Sequence, residues 1–196
     1  HLVVLTEQSL VPDAAAARLF AVLLDAQATE VDRFGYDPAY GETYNCRERR
    51  FAALIGKDAG WLHVARTRRE AVRVALRLRL RVDLLDLLEA GAAFVDAAGA
   101  QAGAHAETYL ADQTYLQHAQ PSTFGHYVLA FAHAVLRDVQ RLQRDLDELN
   151  QSAGGVGSVN GGRLPYDRQR VADLLGFDAV IDNTRDAMWQ TDGLIS

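Results

Sequence analysis

Apolar and polar positions follow helical spacing over most of the chain. Pro12 and Asp13 suit a helix start, and the alanine- and leucine-rich run behind them predicts a first helix. A second, short helix is predicted around residues 47–55, closed by Gly56. These elements predict an N-terminal helical region over residues 1–65.

A long proline-free stretch runs from Thr67 to Thr108. One helix of this size would extend for about 60 Å at about 1.5 Å per residue. Between Val72 and Val82, however, arginines alternate with apolar residues, which is the pattern of a strand. We predict helix, because Leu, Arg and Ala are strong helix formers and no turn signal interrupts the run. Apolar groups on all sides suit a helix that is buried among neighbours.

A second long helix is predicted from Ser122 to Gln151, with a loop over 152–165 and a short helix from Tyr166 to Gly176. The chain therefore reads as helix throughout, an all-α fold in which residues 66–196 form part of a helix bundle. Apolar residues of the second long helix, spaced by threes and fours, form the predicted core seam of this bundle: Val128, Val135, Val139, Leu142, Leu146 and Leu149.

Composition narrows the class of protein. Of 196 residues, 49% are hydrophobic, which is typical of a folded globular chain, and the net charge of −6 argues against a general nucleic-acid binder. Cys46 is the only cysteine, so no internal disulfide or cysteine metal cage can form, and we expect a cytoplasmic setting. The apolar runs are too short for a membrane span, and the histidines lack metal-site spacing, so neither metal nor cofactor is expected.

One glycine-rich segment invites a dinucleotide-binding interpretation. Gly155, Gly157 and Gly161 resemble the phosphate-binding pattern, but the third glycine comes one residue late. The segment also follows a predicted helix, whereas the pattern requires a preceding strand. Nucleotide binding is therefore not expected.

Two polar segments precede the long helices. Residues 60–70 bring basic and hydroxyl-bearing side chains to a helix N-terminus, where carboxylates can be held by free N–H groups and the helix dipole. Residues 114–121 crowd polar and aromatic side chains beside apolar helices. Such polar groups need hydrogen-bond partners, which are either each other or a ligand. The composition of the segment does not distinguish these two options.

The same segments carry a family resemblance. Residues 60–70 line up with the GKLHTGRSRND segment of argininosuccinate lyases, and residues 114–127 line up with their THLQ-x-AQP-x-TFGHY segment. Residues 37–49 and 164–177 match further regions in the same order. The chain thus resembles the N-terminal portion of argininosuccinate lyases, in the fumarase/aspartase superfamily, and the resemblance implies the first long helices of that superfamily's central bundle.

Several positions depart from the family pattern. Arg68, Thr114 and Gln117 are retained, and Thr67 replaces a serine. The resemblance therefore implies that the part of the site that binds carboxylates is partly retained. The part that recognises the amine is rewritten, since the family's two histidines, its asparagine and its aspartate are replaced, respectively, by Tyr44, Tyr115, Arg69 and Glu70.

The resemblance implies a carbon–nitrogen lyase that eliminates fumarate from a succinylated amine, with altered amine specificity. A base removes a proton beside a carboxylate, donors stabilise the charged intermediate, and an acid assists the departing nitrogen. The implied catalytic residues are Thr114 and Tyr115. A phenol is a poor base at neutral pH, so His118 is an alternative proton carrier. The implied substrate-binding residues are Thr67, Arg68, Arg69 and Gln117.

The resemblance also implies a homotetramer with active sites shared between subunits, and a catalytic serine on a downstream glycine-rich loop. We expect these 196 residues, which begin at His1, to be incomplete at both ends and part of a protein well above 21.5 kDa. Two other hypotheses stay open. One is a catalytically inactive homologue with a structural role, and the other is a helical scaffold that binds a partner through an exposed bundle face.

Overall fold

The computed structural model describes residues 1–189, and contacts divide the chain into two compact units. Unit 1 consists of residues 1–76 together with the described residues from 151 onward, and unit 2 consists of residues 77–150. The predicted boundary at 65/66 concerns the domains of the whole protein and stays a prediction. The predicted C-terminal limit of the second domain, residue 196, lies outside the described residues.

Unit 1 is built from short helices around an apolar core, and its fully buried side chains include Leu5, Leu19 and Phe51. The predicted helix starting at Asp13 is confirmed, and so is the short helix that ends before Gly56, where φ is +63°. Short 3-10 turns occur at Val31–Arg33, Pro38–Tyr40, Gly56–His63 and Asp186–Met188. The α-helices that begin in this unit are α1 Leu2–Glu7, α2 Asp13–Ala28, α3 Thr43–Ile55, α4 Arg68–Ala104 and α6 Arg168–Leu174.

Helix α4 confirms the long-helix prediction and explains the alternating arginines. Arg77 is 5% exposed and donates to the backbone carbonyl of Leu149 at 2.9 Å, at the end of α5 (Phe124–Leu149). A cation at that position satisfies carbonyl groups that the helix leaves unpaired. Arg79 instead forms an exposed ion pair with Asp83, four residues on. The arginines therefore serve different faces of one helix.

The predicted seam of α5 lies within unit 2 and packs against α4. Val128, Val135, Val139, Leu142 and Leu146 are half-buried, and Leu149 is buried. The closest approach is at Gly91 of α4, where an added Cβ would lie 2.7 Å from Cγ2 of Val139. The missing side chain is what allows the helices to approach so closely.

The prediction of helix throughout the chain is wrong between the two long helices. Strand β1 (Tyr109–Thr114) pairs antiparallel with β2 (Gln117–Thr123), so this segment is a β-hairpin. Its side chains are mostly exposed, which leaves no alternating apolar face in the sequence. The hairpin is anchored at its base, where the N–H of Phe124 donates to the carbonyl of Thr108 at 2.8 Å.

The glycine-rich loop after α5 belongs to unit 1, as do the other described residues from 151 onward. It begins with β3 (Gln151–Ser152), which pairs in parallel with β4 (Ala179–Val180), and it leads to the confirmed short helix α6. None of the helices within residues 1–189 combines the length and apolarity needed to cross a bilayer.

Candidate active site

The start of helix α4 is locked by a reciprocal pair of hydrogen bonds. The N–H of Thr67 donates to Oε2 of Glu70, and the N–H of Glu70 lies 3.5 Å from the Thr67 hydroxyl. This is a capping box, in which residues three apart satisfy each other's free N–H groups at a helix start. The Thr67-x-x-Glu70 spacing is the sequence signal for this cap.

Glu70 also joins this helix start to the glycine-rich loop. Its side chain is 1% exposed, and Oε1 accepts a hydrogen bond from the N–H of Gly157 at 2.7 Å. A buried carboxylate is tolerated when charge-assisted hydrogen bonds satisfy it, and the positive end of the helix dipole favours it further. Glu70 therefore fixes the loop beside the first turn of α4.

The two arginines next to this cap have different surroundings. Arg68 is half exposed and forms an ion pair with Glu42. Arg69 is exposed and lines a cleft of about 320 Å³ with Arg73, Ser158 and three apolar residues of unit 1. Arg69 thus puts a permanent cation on the wall of this cleft.

Tyr44 is held in place by two neighbouring arginines. Nη2 of Arg66 donates to the Tyr44 hydroxyl at 2.9 Å, and the Arg47 guanidinium stacks on the ring at 4.9 Å. Burial is the main cause that raises the pKa of Tyr44, opposed by Arg66 and reinforced by Glu48. Tyr44 therefore remains a neutral donor and acceptor in a cationic surrounding.

Arg168 supports the loop from the other side. Its guanidinium donates to the carbonyl of Gly154 at 2.9 Å and to that of Ile181 at 2.7 Å. Burial lowers the pKa of Arg168 from its ordinary value, with Asp182 and Glu70 opposing that change. The loop is therefore held at Gly154 by Arg168 and at Gly157 by Glu70.

The second group of predicted site residues occupies the hairpin tip. Thr114 and Gln117 face each other as the closing pair, and Tyr115 and Leu116 form the two-residue turn. Both turn residues have positive φ, +51° and +60°, and Tyr115 is 98% exposed. A two-residue hairpin turn requires positive φ at both positions, and non-glycine residues there cost roughly 1–2 kcal/mol each. His118, in β2, is exposed.

The predicted residues thus form two separate groups within the chain. Thr67, Arg68 and Arg69 are brought together at the start of α4 in unit 1, whereas Thr114, Tyr115 and Gln117 belong to the hairpin of unit 2. Sequence reasoning missed Arg73 and Ser158, although the four-residue spacing of Arg69 and Arg73 indicates a shared helix face. Within residues 1–189, no three acidic, cysteine or histidine side chains are grouped as metal ligands would be.

A helical fold with a capped, arginine-bearing helix start and a polar hairpin is consistent with the resemblance noted in the sequence. The family described as "Lyase" matches residues 8–196, so the chain belongs to this lyase family. Argininosuccinate lyase of Halobacterium salinarum is 37% identical over 195 residues, covering 100% of this chain and 40% of that protein. Argininosuccinate lyase of Anaeromyxobacter dehalogenans is 37% identical over 194 residues, covering 98% of this chain and 41% of that protein.

Solved structures agree with the fold. A variant of EDDS lyase with bound fumarate superposes with a TM-score of 0.88 at 28% identity, covering 98% of this chain and 38% of that one. The helical superfamily fold expected from the resemblance is confirmed. The chain spans about 40% of the length of the relatives it matches, which fits an N-terminal portion.

Proposed function

We propose that the protein is a carbon–nitrogen lyase that eliminates fumarate from a succinylated amine, with an amine specificity that differs from that of argininosuccinate lyase. Family membership and the argininosuccinate lyase relatives support the reaction class. The bound fumarate in the EDDS lyase structure supports the shared product.

The start of α4 is the observation that carries the proposal. The buried Glu70 holds this helix start rigid, while Arg68 and Arg69 remain outside the cap with their guanidinium groups accessible. Guanidinium groups bind carboxylates in two-point fashion, and the Thr67 hydroxyl can donate a further hydrogen bond. Thr67 and Arg68 would hold the succinyl carboxylates, and Arg69 would face the amine portion of the substrate.

The hairpin would supply the catalytic groups. Elimination moves the proton beside a succinyl carboxylate to a base, and the C–N electron pair leaves with the nitrogen, giving fumarate and the amine. Thr114 and Tyr115 would donate hydrogen bonds to the charged intermediate, and Gln117 would contact the substrate. The exposure and strained backbone of Tyr115 support this role, since nothing within the hairpin occupies its hydroxyl.

Assembly belongs to the same proposal. The long helices of unit 2 expose apolar side chains to solvent, and burying that surface would favour a homo-oligomer, with a tetramer of shared active sites as the expected form. These exposed side chains include Val82, Leu85, Leu87, Phe94, Tyr127, Leu129 and Phe131.

A cytoplasmic setting is also part of the proposal.

A second candidate is a catalytically inactive homologue with a structural role. It is favoured by one observation, that a tyrosine occupies the position of the family histidine at the hairpin tip. A phenol does not replace the proton-transfer capacity of an imidazole at neutral pH.

The two candidates are separated by product analysis of the full-length protein. The protein is incubated with argininosuccinate and with a panel of N-substituted aspartates, and nuclear magnetic resonance follows fumarate and free amine. The lyase releases both products in equal amounts from at least one substrate. Intact substrates throughout, with a correctly assembled protein, would favour the inactive homologue.

A further inference from the structure

Ser158 adds a hydroxyl group to the lining of the cleft that Arg69 and Arg73 also line. The residue is exposed, and its side chain makes no hydrogen bond within the described part of the chain. By contrast, the hydroxyl of Ser152 in the same loop is buried and accepts a hydrogen bond from the N–H of Gly154 at 3.2 Å. The hydroxyl of Ser158 is therefore available to a molecule in the cleft.

The backbone of Ser158 has a conformation that disfavours a side chain. Its φ is +77°, in the left-handed region where a Cβ is crowded by the neighbouring carbonyl group. Gly155, Gly157 and Gly161 of the same loop also have positive φ, and there the absence of a Cβ removes this crowding. Serine at position 158 is therefore strained, and such strain persists only where the surrounding structure fixes the backbone.

The residues on either side of Ser158 are fixed in this way. The N–H of Gly157 donates to Oε1 of the buried Glu70 at 2.7 Å. Val159 packs against a buried apolar cluster, and its carbonyl accepts a hydrogen bond from the hydroxyl of Thr184 at 2.7 Å. Because the loop is already held in place, a hydrogen bond made through Ser158 requires little further ordering.

Strain alone does not distinguish Ser158, because Ser9 shares it. Ser9 is exposed, its φ is +56°, and its side chain makes no hydrogen bond to any described residue. Ser9 does not line the cleft, however, whereas Ser158 lies there with two arginines. Cations attract the electron-rich atoms of a ligand, and a hydroxyl can donate a hydrogen bond to such an atom. The combination of strain, free hydroxyl and position in the cleft points to a contact with a ligand.

We propose that Ser158 is a specificity-determining residue whose hydroxyl donates a hydrogen bond to the amine portion of the substrate. The inference rests on the proposed function, in which Thr67 and Arg68 hold the succinyl carboxylates and Arg69 faces the amine portion. Glycine at position 158 would relieve the backbone but leave this hydrogen bond unmade. Serine therefore adds a substrate contact at a cost in stability.

The test replaces Ser158 by glycine in the full-length protein, which removes the hydroxyl and relieves the backbone in one change. The substrates are argininosuccinate and N-substituted aspartates with neutral or anionic amine portions, and fumarate serves as an inhibitor that lacks the amine portion. For the compound that is turned over best, we expect kcat/KM to fall about three- to tenfold, the size of one hydrogen bond. The inhibition constant of fumarate should stay unchanged, and the unfolding midpoint should stay equal or rise.

Ser9→Gly is the matched control, because it makes the same change at a left-handed position outside the cleft. We expect it to leave kcat/KM and the inhibition constant unchanged. Ser158→Ala removes the hydroxyl and keeps the strain, so it should lower kcat/KM as Ser158→Gly does. Unchanged kcat/KM in Ser158→Gly would overturn the proposal. An equal loss of fumarate inhibition would overturn it too, since that result indicates a structural role.

The proposed function can fail separately from this inference. If no compound is turned over, the proposed function fails, and calorimetric binding of the same compounds decides the role of Ser158. Weaker binding of an N-substituted aspartate by Ser158→Gly, with unchanged binding of fumarate, supports the contact. Equal binding by the variant and the unmodified protein, or no binding by either, contradicts it.

Discussion

Oε1 of Glu70 accepts a hydrogen bond from the backbone N–H of Gly157 at 2.7 Å, across 87 residues of sequence. The other carboxylate oxygen accepts from the N–H of Thr67 and closes the cap of α4. One buried side chain therefore fixes both the helix start that carries Arg68 and Arg69 and the loop that carries Ser158. The candidate substrate-binding surface of unit 1 depends on this connection.

Replacement of Glu70 by glutamine should destabilise the protein. The amide keeps the length of the side chain, but its NH2 group cannot accept a hydrogen bond, so one buried N–H loses its partner. We expect the free energy of unfolding to fall by about 1–3 kcal/mol. Thermal unfolding at one protein concentration measures the change, with the exposed Glu89→Gln on the same helix as the control. An unchanged midpoint would show that Glu70 does not stabilise the loop.

Gly157 should not tolerate a side chain. Its φ is +57°, and an added Cβ would lie 2.5 Å from the carbonyl oxygen of Gly161. We expect Gly157→Ala to lower the unfolding midpoint and to expose the loop over 152–165 to proteolysis, because the loop must move to relieve the clash. Gly162→Ala is the matched control, since its Cβ would meet nothing within 4 Å. Equal behaviour of the two variants would contradict this account of the loop.

Glu42 should compete with the substrate for Arg68. The ion pair is half exposed, and such pairs contribute roughly 0.2–1 kcal/mol. Glu42→Gln should therefore lower KM for a succinylated amine by about two- to fivefold with little change in kcat. Asp83→Asn, which releases Arg79 from a comparable pair, serves as the control. A higher KM for Glu42→Gln would mean that Glu42 orients Arg68 for binding.

Tyr115 should matter for turnover and hardly for stability. Its side chain is 98% exposed, so Tyr115→Phe should change the free energy of unfolding by less than about 0.5 kcal/mol. Loss of the hydroxyl should lower kcat by about 10²-fold if it stabilises the charged intermediate. Tyr109→Phe, at a 78% exposed position of the same hairpin, should leave kcat unchanged. Equal kcat values for both variants and the unmodified protein would remove Tyr115 from the mechanism.

The sequence predicted the long helices well because their length and residue types leave little alternative. The alternation of arginines with apolar residues does not by itself distinguish a helix from a strand. The partners of Arg77 and Arg79 lie up to 72 positions away in the sequence. The hairpin was missed for a physical reason. Its two-residue turn contains Tyr115 and Leu116, whereas such turns are ordinarily marked by glycine or asparagine.

The candidate site was predictable only as far as local patterns allowed. The family resemblance pointed to Thr67, Arg68 and Arg69, but the cleft that Arg69 lines is completed by Ser158, about 90 residues later in the chain. The capping role of Glu70 was present in the spacing, while its bond to Gly157 was not. Long-range contacts of single side chains are thus what the sequence alone did not supply.

The central claim is an elimination reaction with altered amine specificity, and Arg69→Asn tests it most directly. Fumarate release by the full-length protein and by this variant is followed by ultraviolet absorbance, with argininosuccinate and with N-substituted aspartates whose amine portion is neutral or anionic. The account predicts poor turnover of argininosuccinate by the unmodified protein, efficient turnover of another compound, and a shift towards argininosuccinate in Arg69→Asn. Efficient turnover of argininosuccinate by the unmodified protein would contradict it.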